Sequence, residues 1–553
     1  MVGPIKRRRL LQGLGLGALV ARSGSVGAAS VHFTHGVASG DPLTDRVILW
    51  TRVMPVVQAG TVGVTWQVAL DLAFKRIAAG GRTGTDAGSG YTVKVDATGL
   101  VPGTDYFYRF SAQGQTSPVG RTKTLPAGSV AEFRMGVASC SNYPQGFFNA
   151  YRHMADTDLD VVLHLGDYIY EYHEGEYAND YALEVLKRNV QPAHEIVALE
   201  DYRARYALYR SDPDLQAVHQ RHPFICVWDD HELTNDTWKE GAENHNEGEG
   251  DFAARLQSAR QAYHEWMPIR THPQGNQGPI YRSFAIGELA DLIMLDTRVE
   301  GRDQGLSYID DMIYSASGDD SPASLSPDAP AFLAEKLNDP RRHLLGEKQE
   351  KWLSQMVTKS IGRGATWQVL GQQILMSKVG IPGMDPTALE ALDIPQEERD
   401  YIDLFQTLGA QGLPLNLDAW DGYPVSRDRV TAMLADTGAN TVVLAGDTHN
   451  AWAFNLQDAE GQAIGVEIGT PAISSPGMEA YMPMTAQALA GELKAVSPGL
   501  IDVDVSRRGW AEVVLTPQEM RNRWHFVSTV LDRRYTVTTS KDTVCPAGLR
   551  RFA

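Results

Sequence analysis

Apolar and polar residues alternate along residues 31–126. Val62, Val64, Trp66 and Val68 form one series, Tyr91, Val93 and Val95 a second, and Tyr106, Tyr108 and Phe110 a third. Successive side chains on a strand point to opposite faces, so a period of two marks half-buried strands. Val47-Ile48-Leu49-Trp50 reads as a further strand, and Gly, Asp and Pro punctuate the runs. The pattern predicts a small β-sandwich over residues 31–126 that ends at Leu125-Pro126-Ala127-Gly128. It carries no cluster of titratable side chains, so its expected role is packing or support.

The pattern changes at Phe133. Short apolar runs now alternate with helical spacings, as in Leu256, Ala259, Tyr263 and Trp266 within Asp251–Trp266, or Trp352, Leu353, Met356 and Val357 within Glu347–Lys359. Alternating strands and helices predict an α/β layered domain over residues 131–540, with 541–553 left as a tail. Ser315–Pro330 reads as a surface loop, and Gly380–Pro414 as a second long, partly helical connection. Long insertions of this kind often cover active sites. There is no internal repeat.

Four of the strand-like runs end alike. Phe133–Ser139 ends at Cys140-Ser141-Asn142, and Val161–Leu165 at Gly166-Asp167-Tyr168-Ile169-Tyr170. Phe224–Trp228 ends at Asp229-Asp230-His231-Glu232, and Val442–Ala445 at Gly446-Asp447-Thr448-His449-Asn450. Each cluster alone has a plain structural reading: a turn, a buried thiol or a capped helix start. Together they suggest more, because ligands of open α/β sheets sit outside the carboxyl ends of strands. Four such ends can bring thiol, phenol, carboxylate and imidazole groups to one rim and hold metal ions there.

Charge and length narrow the class. The chain has 553 residues, 43% apolar and 21% charged, which is ordinary for a globular protein of several domains. Its net charge is −18, although the first 29 residues hold five positive charges (Lys6, Arg7, Arg8, Arg9, Arg22) and no acidic ones. Such a body has no general basic surface for nucleic acid, and a phosphate bound to it needs a locally positive site. No apolar run is long enough for a membrane anchor. Three cysteines form no disulfide framework; a Cys226–Cys545 bridge is one open pairing. At the N-terminus, Lys6-Arg7-Arg8-Arg9-Leu10-Leu11, with its Arg-Arg-x-Leu-Leu pattern, precedes a short apolar stretch and the small residues Val26-Gly27-Ala28-Ala29. This resembles a twin-arginine signal over residues 1–29. It predicts folded export to the periplasm or beyond, with the twin-arginine machinery as partner.

The motif phrases resemble a known family. The order Gly166-Asp167-Tyr168-Ile169-Tyr170, Asp230-His231-Glu232 and Gly446-Asp447-Thr448-His449 is a variant of the calcineurin-like metallophosphoesterase pattern. His35-Gly36-Val37-Ala38-Ser39-Gly40-Asp41-Pro42, Trp228-Asp229-Asp230-His231-Glu232 and Leu295-Asp296-Thr297-Arg298 are similar to the alkaline phosphatase D (PhoD) family, which is related to purple acid phosphatases. Leu100 to Tyr106 looks like a turn-and-strand phrase of fibronectin III-like modules. The resemblance implies a four-layer αββα sandwich behind the small β domain. It implies Fe3+ held by Cys140, Asp167, Tyr170 and His449. Asp167 would bridge to a second cation on Asp230 and Asp447, with Asp229 as the substitute for Asp230 and Asn450 or water completing the site. Anionic thiolate and phenolate suit iron, and oxygen donors suit Ca2+, or Mg2+ or Mn2+, at the second position.

The implied activity is a phosphatase or phosphodiesterase acting on small phosphate mono- or diesters by in-line attack of a metal-bridging hydroxide. His231 is the expected acid for the leaving group, with Glu232 as a cap or as the residue that holds His231. Asn142, Asn235 and Arg298 are weaker candidates for phosphate contact, Arg298 being equally readable as a structural ion pair. His164 reads as core. A phospholipase D-like diesterase is a second enzymatic reading. A non-catalytic secreted binding protein of the same fold is a third, which the intact ligand set disfavours.

Overall fold

A computed structural model describes residues 31–57, 60–316, 325–384 and 396–553. The signal-like segment 1–29 lies outside the described residues, as does part of each long loop. Two large sheets stack face to face. The first runs, in spatial order, Val537–Thr539, Glu519–Val527, Arg508–Leu515, Phe133–Ala138, Val161–His164, Pro223–Cys226, Val37–Gly40, Arg46–Arg52 and Thr92–Thr98. The second runs Arg282–Ile286, Ala290–Met294, Trp367–Gly371, Thr441–Ala445, Ala463–Gly469, Ala451–Gln457 and Leu500–Asp504.

The centre of each sheet is parallel. Val137 pairs with Leu163 and Leu163 with Ile225 in the first; Ile293 pairs with Leu370 and Leu370 with Val443 in the second. Parallel strands are buried on both faces and read as continuous apolar runs. Met135, Val137, Leu163 and Ile225 of one sheet meet Leu292, Val369, Val442 and Leu444 of the other in a shared core. Outside the first sheet, the helices Asn149–Asp156, Leu199–Arg210, Pro213–Arg221 and Phe252–Trp266 bury Met154, Tyr206, Val218 and Trp266. Outside the second, Gly346–Gly362 and Pro424–Thr437 bury Leu353, Val357, Val430 and Leu434. This is the expected αββα layering. The two long helices fall where their spacing placed them.

The N-terminal strands make their own core from Val47, Leu49, Val64, Val68, Tyr106 and Phe110, among others. One wall of that core is a sheet built on Gly120–Lys123, Asp105–Ala112, Val62–Ala69 and Ile77–Thr85. The other wall is the edge of the first large sheet, because Val37–Gly40 pairs in parallel with Pro223–Cys226. The β module is thus joined to the αββα layers through a shared sheet, which alternation within residues 31–126 cannot reveal. The segment 541–553 needs a correction. It is no loose tail: Thr543–Pro546 pairs with Glu519–Val527, and Cys545 is buried between the sheets. Cys140, Cys226 and Cys545 are all free thiols, so the Cys226–Cys545 pairing does not form. Among the described residues no helix is long and apolar enough to cross a membrane.

Candidate metal centre

The four polar strand ends converge where the carboxyl ends of the two parallel sheets meet. Cys140, Asp167 and His449 form one group whose donor atoms lie within 4.8 Å of one another. Asp167, Asp230 and His231 form a second such group, and Asp229, Asp230 and Asp447 a third. The groups overlap: Asp167 belongs to the first two and Asp230 to the last two. Tyr170 joins the first, its hydroxyl donating to Asp167 Oδ2 at 3.0 Å and lying 3.3 Å from His449 Nε2.

The backbone pays a steric cost to achieve this. Cys140, Asp167, Asp447 and His449 have φ of 59°, 55°, 63° and 62°, in the left-handed region that non-glycine residues rarely adopt. Residues held there cluster at functional sites. Gly166, with φ 110°, leads into Asp167, and a Cβ on it would come within 2.3 Å of the Asp229 side chain. Only glycine lets the Asp167 and Asp229 loops approach this closely.

Neighbouring groups lock each donor. His449 Nδ1 lies 2.7 Å from the Pro476 carbonyl, an acceptor only, so this nitrogen carries the proton and Nε2 faces Tyr170 as a free donor pair. Burial pushes the His449 pKa down to about 3, keeping the ring neutral as a ligand requires. Ser475 Oγ sits 2.7 Å from the Tyr170 hydroxyl. Buried Glu232 accepts from the backbone amides of Asp167, Tyr168 and Asp229 at 3.0, 2.6 and 2.8 Å. It therefore ties two ligand loops together and does not hold His231. That task falls to Glu171, whose carboxylate lies 2.7 Å from His231 Nδ1 and also accepts from the Asn235 amide and Asn244 Nδ2.

The electrostatics of the centre suit cations. Burial and the surrounding carboxylates push Asp167 and Asp447 well above the usual carboxylate range. Burial and Asp167 push the Cys140 thiol and the Tyr170 phenol up in the same way. Burial disfavours a charged His231, but Glu171, Asp230 and Asp167 outweigh it and hold that ring well above the usual histidine value. Asp167 Oδ1, Asp229 Oδ2 and Asp230 Oδ1 are buried without a hydrogen-bond partner. Buried anions crowded without partners are unfavourable unless cations join them. A thiol, a phenol, an imidazole and a shared carboxylate on one side, with carboxylates on the other, fit two cations.

The weaker candidates separate. Arg298 is fully buried against Asp229 and Asp418, and its Nη2 lies 3.5 Å from Asp230 and 3.7 Å from Asp447. It is placed to hold carboxylates together. Asn142 donates to the Tyr177 carbonyl at 2.9 Å, leaving its buried Oδ1 without a partner. Asn235 turns its side-chain amide to Glu243 at 3.0 Å. His164 is core, its Nε2 2.7 Å from the Tyr151 hydroxyl. Motif reading missed Asp418, Ser475 and the roles of Glu171 and Glu232. Glu171 directly follows the candidate ligand Tyr170, and Glu232 the expected proton donor His231; Asp418 and Ser475 have no local signal.

Comparison with known proteins shows the family. The model described as PhoD-like phosphatase matches residues 135–524, and the model of the PhoD-like phosphatase N-terminal domain matches residues 20–126. The chain belongs to the PhoD-like phosphatase family. It is 37% identical over 502 residues to Alkaline phosphatase D of Bacillus subtilis (strain 168), spanning 85% of this chain and 76% of that one. The solved structure titled "Structure of PhoD" superposes with a TM-score of 0.75 at 32% identity, covering 94% of this chain and 91% of that one. Both members of the pair, small β module and αββα layers, are thus those of PhoD-like phosphatases, and phosphate ester hydrolysis is the family activity. The PhoD-like motif phrases quoted from the sequence supply the converging side chains.

Proposed function

We propose that this PhoD-like phosphatase is an exported, metal-dependent enzyme that hydrolyses phosphate mono- and diesters. The overlap of three donor groups through Asp167 and Asp230 carries the reading, because shared carboxylates are how two cations are held side by side. Cys140, Asp167, Tyr170 and His449 would hold Fe3+, and Asp167, Asp230 and Asp447, aided by Asp229, would hold Ca2+, or Mg2+ or Mn2+. When bound, such cations supply positive charge for the phosphate oxygens and make water acidic enough to attack phosphorus near neutral pH.

The chain's own residues do the rest. Glu171 fixes the proton on His231 Nδ1, turning Nε2 toward the side of Asp167 and Asp230. From there His231 donates a proton to the departing alkoxide, with Glu171 stabilising its charged form beforehand. Arg298 keeps Asp229 and Asp418 paired, so the carboxylates stay in place when substrate enters. A cavity of about 880 Å3 lies beside the centre, lined in part by Asp236, Trp238, Tyr308, Phe405 and Asp418. Asp418 bonds Arg298, and the Asp236 amide donates to Asp230 Oδ2 at 2.8 Å, so the cavity adjoins the reacting region. That room for an alcohol group supports diester cleavage alongside monoester cleavage. The Arg7-Arg8-Arg9-Leu10-Leu11 segment supports export by the twin-arginine route.

The test is metal analysis of the purified enzyme, together with turnover of p-nitrophenyl phosphate and bis-p-nitrophenyl phosphate. Stoichiometric iron plus a divalent cation and chelator-sensitive hydrolysis of both esters are expected. A metal-free preparation with full activity would overturn the reading.

A further inference from the structure

At the seam between the N-terminal β module and the catalytic layers lies a buried charge without a counter-ion. Arg210 ends the helix Leu199–Arg210 and is 1% exposed. Its guanidinium stacks 4.0 Å above the Trp50 ring and donates from Nη1 to the Tyr168 hydroxyl at 3.2 Å. Nε and Nη2 have no hydrogen-bond partner, and among the described residues no carboxylate lies within ion-pair distance. A buried cation of this kind is strongly unfavourable unless something anionic joins it.

The surroundings add donors. Tyr168 accepts from Arg210, which has no lone pair to offer, so its own proton points to His219 Nε2 at 2.9 Å. Burial holds His219 neutral, so the ring's single proton sits on Nδ1, which also lacks a partner. Ser39 Oγ and Tyr108 Oη are buried hydroxyls close enough to interact with each other and within reach of the Arg210 charge, and neither has a partner in good hydrogen-bond geometry. Trp266, whose ring packs 5.8 Å from Trp50, leaves its Nε1 unmet as well. Each of these unmet groups donates or can donate, and none of them must accept. Water could pass its protons to the Ser39 and Tyr108 oxygens but brings no charge, whereas an anion accepts from these donors and also balances the buried guanidinium.

We propose that Arg210 binds a small monovalent inorganic anion, of the size of chloride, in the interior. The anion would sit at the junction where Ser39 and Trp50 of the shared sheet, Tyr108 of the second N-terminal sheet and the helices carrying Arg210 and His219 come together. It would pin the β module to the catalytic layers without touching the metal centre.

The probe is bromide. Crystals of the metal-loaded enzyme grown or soaked in bromide should show an anomalous peak beside Arg210 Nε and Nη2, at about 3.3 Å. In solution, chloride in place of gluconate at equal ionic strength should raise Tm by about 2 °C, as ligand linkage predicts. Arg210→Met should abolish that dependence, and Ser39→Ala should weaken it while leaving the guanidinium in place. A bromide map with no peak at Arg210, or an Arg210→Met protein that keeps the full chloride response, overturns the proposal. Should Arg210→Met fail to fold, the wild-type bromide map decides alone.

Discussion

At the scale of single residues, the candidate centre is a set of buried acids that bound cations would balance. Without metal, the raised pKa values of Asp167 and Asp447 mean that both carboxyls hold protons above the usual 3.8. A group whose folded pKa exceeds its unfolded one stabilises the fold below the unfolded value and loses that contribution as pH rises. Chelated protein should therefore lose Tm steadily as pH is raised from about 4, relative to the loaded enzyme, followed by thermal unfolding across a pH series. Cation uptake must expel protons from Cys140, Tyr170, Asp167 and Asp447, so loading should acidify a weakly buffered solution and weaken as pH falls. Tyr170→Phe should remove any phenolate-to-iron colour band; an unchanged spectrum would reassign the ligand. Glu171→Gln should cut kcat by about 10–100-fold, most for esters with poor leaving groups, because it frees the His231 ring. Equal losses on aryl and alkyl phosphates would remove His231 from the proton-donor role.

Elements set where these residues lie, and much of that was legible. Each apolar run ending in a polar cluster proved to be a buried central strand, because parallel strands need no alternation and their ends are where the chain can turn into solvent. The loop interiors were not legible. Glu232 satisfies three backbone amides of the Asp167 and Asp229 loops, a contact that exists only once the strands Val161–His164 and Pro223–Cys226 have paired. Asp418 and Ser475 enter from connections with no periodic pattern. Gly166→Ala would push Asp167 away from Asp229 and should lower kcat/KM by about 100-fold, since small misplacements of reacting groups are that costly. Metal content should fall with it; unchanged kinetics would show that the close approach is not needed. Glu232→Gln places a donor against an amide donor, should cost about 1–3 kcal/mol of stability, and should show in denaturant unfolding.

For the whole molecule, the joined sheet matters most. Alternation correctly gave the sandwich and its core, but not the pairing of Val37–Gly40 with Pro223–Cys226 or the ion pair of Arg282 with buried Asp41. A chain starting near residue 131 would expose the edge of the Pro223–Cys226 strand and strand Arg282 without its partner. Such a truncation should aggregate or bind little metal, as size-exclusion chromatography and metal analysis would show. The central claim concerns convergence at the rim of both sheets. X-ray absorption at the iron edge of the intact enzyme tests it most directly. One sulfur in the iron shell, absent from Cys140→Ser protein, is the predicted result. An iron shell free of sulfur in the intact enzyme would contradict the account.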